Sequence, residues 1–502
     1  MHIRTAIVAG TALLNSAVAF SLHAKNVIYI VPDGYGPASQ NMARDLASLV
    51  DTGTSGSNPE IHELAVDDLA IGRVRTHSAS SMITDSAASG TAFASAHKSY
   101  NGAISVTPDG QPVGSILEAA KLGGMKTGLV SMASICDATP AVYAAHVANR
   151  GDQARIAEQE LGYSHPLGSV VDILLGGGRC NFVPSTTEGS CRSDNVDLLA
   201  YAEEKGFTVA TNRDEFNSLK KGLGKAELPI LGLFADGNMR YEMDRQVTQD
   251  EPSLLEMAQT AVNALDRATR WRPKGFFIMI EAARIDHAGH DNDPANHAIE
   301  TQMYNEVVAW VRQWIDSHPD TIMMSAADHE TGGLTLNGYD PLPLQNATHS
   351  RAYLQSLWDS DRPSDTAEQR SFLTSEILPA YGLDASTVSD AEIDAVLDAS
   401  SIGAGLAALL SDRAGVDWST GGHTSVDVTL HGYAAGLKHR TLKADLAGGW
   451  DNTELPRYIE SVLRLDMDAV TRRLVEAAEK DSGWLGKREF VTRDMGGHDH
   501  YH

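Results

Sequence analysis

Short apolar runs separated by amphipathic stretches recur from residue 25 to about residue 334. Val27 to Val31, Lys126 to Met132, Val171 to Leu175, Phe276 to Ile280 and Ile322 to Ala327 each have the length and make-up of a buried parallel strand. The second half of the Val171 run meets Gly176-Gly177-Gly178, which predicts a sharp backbone turn. Between the runs lie helical patterns. Ile299, Met303, Val307, Trp310, Val311 and Trp314 recur at helical spacing, and Pro319 leads into the next strand. Alternation of strand and helix predicts a three-layer α/β sandwich, with a large, mostly parallel central sheet covered by helices on both faces.

The stretch from 337 to 417 breaks this rhythm. It is polar and rich in Ser and Asp, with short helices, one of them opened by the capping-box pair Ser389 and Glu392. It is expected to be a crown-like insertion decorating the sheet over the site. Strand character returns near Val426 to Leu430 and Tyr433, so residues 25–336 and 418–480 form one catalytic α/β domain. Residues 482–502 read as a loosely held tail, including His498, His500 and His502.

At its start the chain has His2 and Arg4, an apolar stretch from Thr5 to Leu14, and small residues at Ala17 and Ala19. This reads as a secretion signal within residues 1–24, cleaved after Ala19 or Ala24. No later stretch of the sequence is apolar enough to span a bilayer. The expected address is therefore periplasmic or extracellular, with a vacuole-like lumen as the alternative. Three cysteines occur; Cys180 and Cys191 flank a polar loop, and an oxidising compartment favours a bond between them, leaving Cys136 over. Asn346-Ala347-Thr348 matches a glycosylation acceptor pattern. The formal charge of −26 argues against a general nucleic-acid binder, which needs a basic face.

The predicted strands end in residues suited to metal. Asp33 follows the first, Glu281 and Asp286 the fourth, and Asp328-His329 the fifth. Ligands of open α/β sheets bind at such carboxyl ends. Asp286 and His290 are four apart, so one helical turn puts a carboxylate and an imidazole on one face, a pairing that suits zinc. His423, in Gly421-Gly422-His423-Thr424, is a candidate final ligand only as a member of this set. Thr84-Asp85-Ser86-Ala87-Ala88 precedes a small-residue helix. Ser86 at that helix N-terminus would meet free N–H groups that favour an anion. The plain alternative is an N-capping serine.

Taken in order, Asp85-Ser86-Ala87, Asp286 to His290, Asp328-His329 and Gly-His423-Thr resemble the alkaline phosphatase family over most of the chain. The resemblance implies that Asp286, His290 and His423 hold one zinc, and that Asp33, Asp328 and His329 hold a second with Ser86 as its reactive ligand. One magnesium would be bridged by Asp33, completed by Thr139 and Glu281, and approached by Asp137 through water. Arg150 occupies the phosphate-binding arginine position, with Asp85 to orient it. His287 is similar to members with histidine after the zinc aspartate, and Asp137 beside it mixes two patterns of the family.

The resemblance further implies hydrolysis of a broad range of phosphate monoesters through a phosphoserine, by a homodimer with two zinc ions and one magnesium ion per subunit. A two-metal phosphodiesterase of the same superfamily is the alternative. A sulfatase fits less well, because Pro and Arg of its modification motif are missing after Ser86. A secreted zinc-binding pseudoenzyme is the non-enzyme alternative, and it predicts metal binding without turnover.

Overall fold

A computed structural model describes residues 22–53, 60–224 and 227–486. The expected secretion signal lies outside them except for residues 22–24, as do the three tail histidines.

The strands, in chain order, are β1 (Asn26–Val31), β2 (Ala70–Arg75), β3 (Lys126–Ser134), β4 (Ile173–Gly177), β5 (Thr208–Ala210), β6 (Ile230–Leu233), β7 (Phe276–Glu281), β8 (Thr321–Ser325), β9 (Glu330–Thr331), β10 (Leu334–Leu336), β11 (Val416–Trp418), β12 (His423–Thr424), β13 (Val428–Ala434) and β14 (Gly448–Asp451). Ten of them build one sheet in the order β14-β2-β13-β8-β1-β7-β3-β4-β6-β5. Every pairing in it is parallel except those of β13, which runs antiparallel to β2 and β8. The sheet is thus large and mostly parallel, and its central strands are buried on both faces.

Side chains alternate across a strand, so neighbouring residues show what covers each face. Tyr29 and Phe277 point to one face, where they meet Phe93 of the Ser86–Ser95 helix and Tyr143. Phe276 and Gly128 face the other way, toward Trp314 of the Pro294–Ser317 helix and Leu265 of the Leu254–Thr269 helix. Helices therefore cover both faces, as the sequence alternation predicts.

Residues between β10 and β11 gather a second apolar cluster. Leu354, Leu373, Ile377, Leu406 and Leu410 pack there with Met42 and Leu46 of the Pro37–Thr52 helix and with Ala295 and Ala298. At its base β10 and β11 pair antiparallel, Leu334 opposite Trp418, so the segment leaves and rejoins the main body at one place.

Two local expectations change. The triple glycine does not end β4 at once: Gly176 and Gly177 remain in the strand, and the turn comes at Gly178, with φ +88°. A Cβ on Gly177 would stand 2.1 Å from the Gly237 carbonyl, so only glycine lets these backbones approach. The first residues of the expected loose tail, 483–485, are held against the body. Gly483–Leu485 forms a helical turn, and Trp484 is buried against His146 and His165. A bulky apolar side chain with a place to pack holds that turn down.

Cys180 and Cys191 are bonded, and Cys136 is free and buried. The bond closes a short loop at 11 residues' separation. Replacing Cys180 with serine is expected to cost about 2–3 kcal/mol, through loop entropy returned to the unfolded chain. Denaturant unfolding of the variant against the parent measures this.

Candidate metal centre and active site

Parallel register brings the acid-bearing strand ends level. Val31 and Ser131 both stand opposite Glu281, the last residue of β7. Asp33 lies two residues past β1, and Asp328 follows β8. Gly34 makes their convergence possible. Its φ is +73°, and a Cβ there would stand 2.5 Å from Asp286 Cα. Its N–H donates to Asp328 Oδ1 at 3.4 Å, and its carbonyl accepts the Thr331 N–H at 3.1 Å. One glycine thus lets the loops after β1, β7 and β8 touch.

Two acid–histidine sets result. In the first, Asp286 and His290 share the Arg284–His290 helix, and β12 brings in His423 by pairing with β9. His290 Nε2 lies 3.2 Å from Asp286 Oδ2, and His423 Nε2 lies 3.6 Å from Asp286 Oδ1. In the second, His329 Nε2 lies 3.3 Å from Asp328 Oδ2 and 3.6 Å from Asp33 Oδ1. The possible ligand atoms of each set fall within 4.8 Å of one another. The rings of His329 and His423 stack at 3.5 Å, so the sets are contiguous. Thr139 donates to Asp33 Oδ2 at 3.3 Å, and Glu281 stands opposite Ser131 in the sheet.

The donor set fits bound cations. Asp33 Oδ1 and Asp328 Oδ2 are buried and accept no hydrogen bond. His290 Nδ1 donates to the Gly421 carbonyl at 2.7 Å and His423 Nδ1 to the Thr84 carbonyl at 2.9 Å. In neutral rings both Nε2 lone pairs then face each other at 3.1 Å, an arrangement a cation relieves. Without one, the acids crowd. Burial, and then the charges of Asp328 and Asp286, push the Asp33 carboxyl far above its usual range. Burial lifts Asp328 to about 7 and Glu281 to about 8. Asp286 differs: burial opposes its ionisation, but His290, His423 and His329 outweigh that and hold it well below the usual range. In return His290 rises to about 9, because Asp286 outweighs the effect of burial.

Ser86 opens the Ser86–Ser95 helix, and Asp85 is its N-cap, accepting from the Ala88 N–H at 2.9 Å. The capping role therefore belongs to Asp85, which leaves the Ser86 hydroxyl free for other work. Ser86 Oγ lies 3.1 Å from His329 Nε2. Arg150 reaches the same place from another segment. Its Nη1 donates to Asp85 Oδ2 at 3.3 Å and its Nη2 to Asp137 Oδ1 at 2.9 Å. Burial opposes the ionisation of Asp137, but Arg150 outweighs it and keeps the carboxylate charged. Asp137 thus pairs directly with Arg150, and all thirteen residues singled out from the sequence lie around one site.

Four further residues support them without any signal in the sequence. Ser131 donates to Glu281 Oε2 at 2.6 Å, and Thr331 donates to Asp286 Oδ1. Ser89 donates to the Asp328 carbonyl at 2.8 Å. Arg284 Nη1 donates to His287 Nδ1 at 2.6 Å, and its guanidinium stacks on Tyr241 at 3.8 Å. Since arginine only donates, His287 Nδ1 is unprotonated and the ring is neutral. Burial, and then the Arg284 charge, bring the His287 pKa down to about 3, in agreement.

Fold and site define a metal-binding α/β enzyme with a serine beside its acids. Residues 24–465 match the alkaline phosphatase family. The chain is 40% identical over 482 residues to the repressible alkaline phosphatase of Saccharomyces cerevisiae, covering 89% of this chain and 82% of that one. It is 39% identical to an alkaline phosphatase of Schizosaccharomyces pombe, with 90% and 84% covered. The crystal structure of Thermus thermophilus alkaline phosphatase superposes with a TM-score of 0.75 at 27% identity, covering 91% of this chain and 96% of that one. The chain belongs to the alkaline phosphatase family and is a phosphatase of the hydrolase class.

Proposed function

We propose that the chain hydrolyses a broad range of phosphate monoesters through a phosphoserine at Ser86, with two zinc ions and one magnesium ion per subunit. Asp286, His290 and His423 would hold one zinc, and Asp33, Asp328 and His329 the other. Magnesium would lie with Asp33, Thr139 and Glu281. When bound, the ions supply positive charge at the attacking and leaving oxygens of an in-line transfer. The observation that carries the reading is the convergence on Ser86 of two acid–histidine sets and Arg150.

The chain's own residues do the rest. Ser86 Oγ forms the new P–O bond, and the bond to the alcohol breaks. The free N–H groups of its helix favour negative charge there. Arg150 is held as a planar fork by Asp85 and Asp137, ready for two phosphoryl oxygens. His287, neutral by virtue of Arg284, keeps a proton on Nε2 for donation. Water then hydrolyses the serine phosphate, restoring the hydroxyl and releasing inorganic phosphate.

Acid quench during turnover of a radiolabelled aryl phosphate is expected to leave label on the peptide containing Ser86. Full turnover with no label there would sink the covalent route. A diester and a sulfate ester, assayed beside the monoester, are expected to be the slower substrates; a faster diester would favour the phosphodiesterase reading, and metal binding with no turnover of any ester the pseudoenzyme one.

Passage through a secretory route is supported by the apolar N-terminal segment and by the Cys180–Cys191 bond. Among the described residues no helix is long and apolar enough to cross a membrane. We also propose a homodimer, and a crown-like role for residues 337–417 above the site. Both follow the family resemblance, and the second also has the separate apolar cluster of that segment behind it.

A further inference from the structure

Glu118, His146 and His165 form a third acid–histidine set that shares no residue with the site above. All three are buried. Hydrogen-bond accounting assigns their protons. His146 Nδ1 lies 3.0 Å from the Ser105 carbonyl, which only accepts, so Nδ1 carries a proton. His165 Nδ1 accepts the Leu167 N–H at 3.0 Å, so in this ring the proton is on Nε2. Both Nε2 atoms lie 2.9 Å from one oxygen, Glu118 Oε1, but only that of His146 is aligned for a hydrogen bond. The other, Oε2, accepts the Ser115 N–H at 2.7 Å. A metal in this set would need bare Nε2 atoms, and His165 would then hold no proton at all. One more proton lies between Glu118 Oε1 and His146 Nε2; the raised His146 and the lowered Glu118 put it on the ring, giving an ionised Glu118 between a neutral His165 and a doubly protonated His146.

What His146 holds is the extended segment that leads to Arg150. Val147 pairs with Ile104 through both backbone bonds, at 2.9 and 3.0 Å. Tyr100 donates to the Ala148 carbonyl at 2.8 Å, and the Arg150 N–H donates to the Gly102 carbonyl at 2.7 Å. The Gly102 N–H donates in turn to Asp85 Oδ2 at 2.8 Å, the oxygen that faces Arg150. At the far end of this ribbon Ser105 sits at φ +44°, a left-handed conformation costly for serine, and its carbonyl is the acceptor for His146. Gln159 bonds the backbone of His146 and also the Trp484 carbonyl, which ties the last described turn to the same point.

We propose that His146, as a buried imidazolium paired with Glu118, is a positioning residue that sets the ribbon carrying Arg150 and so tunes phosphate binding. The inference rests on reading Arg150 as the phosphate-binding arginine. Among the described residues, the titratable groups facing His146 are Glu118 and His165. Burial opposes charge on both members of the pair. Glu118 nevertheless outweighs it and raises His146, while His146 and then His165 outweigh it and keep Glu118 well below the usual range. A histidine raised in the fold contributes fully below its ordinary pKa and loses that contribution as pH rises through the raised value. The clamp therefore weakens toward alkaline pH.

The test uses the metal-loaded enzyme, inorganic phosphate as inhibitor and an aryl phosphate as substrate, from pH 7 to 10. Arg150→Ala is expected to raise the inhibition constant for phosphate about 10–100-fold, the range for losing a bidentate charged contact. At pH 7, His146→Gln should raise that constant and KM several-fold with kcat changed less. Its effect should shrink toward pH 10 and vanish in the Arg150→Ala background. If Arg150→Ala binds phosphate like the parent, the reading of Arg150 fails. An impaired Arg150→Ala beside an unchanged His146→Gln, or equal losses by His146→Gln with and without Arg150, overturns the positioning role alone. Should His146→Gln not fold, the parent decides: histidine 15N shifts must show both nitrogens of His146 protonated at pH 7, and a neutral or metal-bound ring overturns the proposal.

Discussion

Replacing Ser86 with alanine is expected to lower monoester turnover on the order of 10³-fold or more, while leaving fold and metal content unchanged. The size follows from the role. A nucleophile is not easily replaced by its neighbours, because hydroxyls close by are committed to other acceptors: Thr331 donates to Asp286, Thr139 to Asp33, Ser131 to Glu281 and Ser89 to the Asp328 carbonyl. The mildness toward folding follows from position. Ser86 is the first residue of its helix, the cap is Asp85, and alanine suits a helix. Its hydroxyl meets His329 Nε2. Initial rates, circular dichroism and metal content on the same preparation check all three. Turnover within tenfold of the parent would remove Ser86 from the chemistry.

Stripping the metal ions is expected to abolish turnover and to destabilise the protein in a pH-dependent way. Asp33, Asp328 and Glu281 are buried together, and without a cation their pKa values are raised, Asp328 to about 7 and Glu281 to about 8. A raised carboxyl holds its proton in the fold more firmly than in the unfolded chain. Stability of the stripped protein therefore falls as pH climbs from the ordinary carboxyl range through about 7 to 8. In the loaded protein the ions compete with those protons, so ion binding strengthens over the same interval. The gap in Tm should thus widen from pH 5 to pH 9, reaching about 5–10 °C for ligands bound far above their dissociation constants. Melting curves of chelated and reloaded protein measure it, and elemental analysis counts the zinc and magnesium restored. A gap that narrows with rising pH, or activity that survives full chelation, would refute the assignment of these acids to metal.

Much of the site was legible because strand ends announce themselves. An apolar run followed by Asp33, Glu281 or Asp328 places an acid at the rim of a parallel sheet before any contact is known. Asp286 and His290 were legible from helical spacing alone, and they do share one short helix. Ser86 was legible only as a serine near a helix start. Its alternative, a plain N-cap, was settled when Asp85 took that position in the fold. Arg150 and His423 had no local signal and rested on family resemblance.

The sequence by itself determined the elements, because backbone preference and side-chain alternation act over a few residues: the buried strands, the helices between them, and the acids and histidines at their ends. Tertiary structure alone decided which of these meet. Ser86 and His329 are 243 positions apart, and they touch because the Ser86–Ser95 helix packs on the sheet through Phe93 against Tyr29, while its Ser89 bonds the Asp328 carbonyl just past β8. Gly34 is one residue among many glycines until its missing Cβ proves to be the space in which Asp286 sits. The same holds for Arg284 against His287 and for Glu118 between His146 and His165. Each is a polar residue whose distant partner no local pattern names, and only the packing of the fold supplies it.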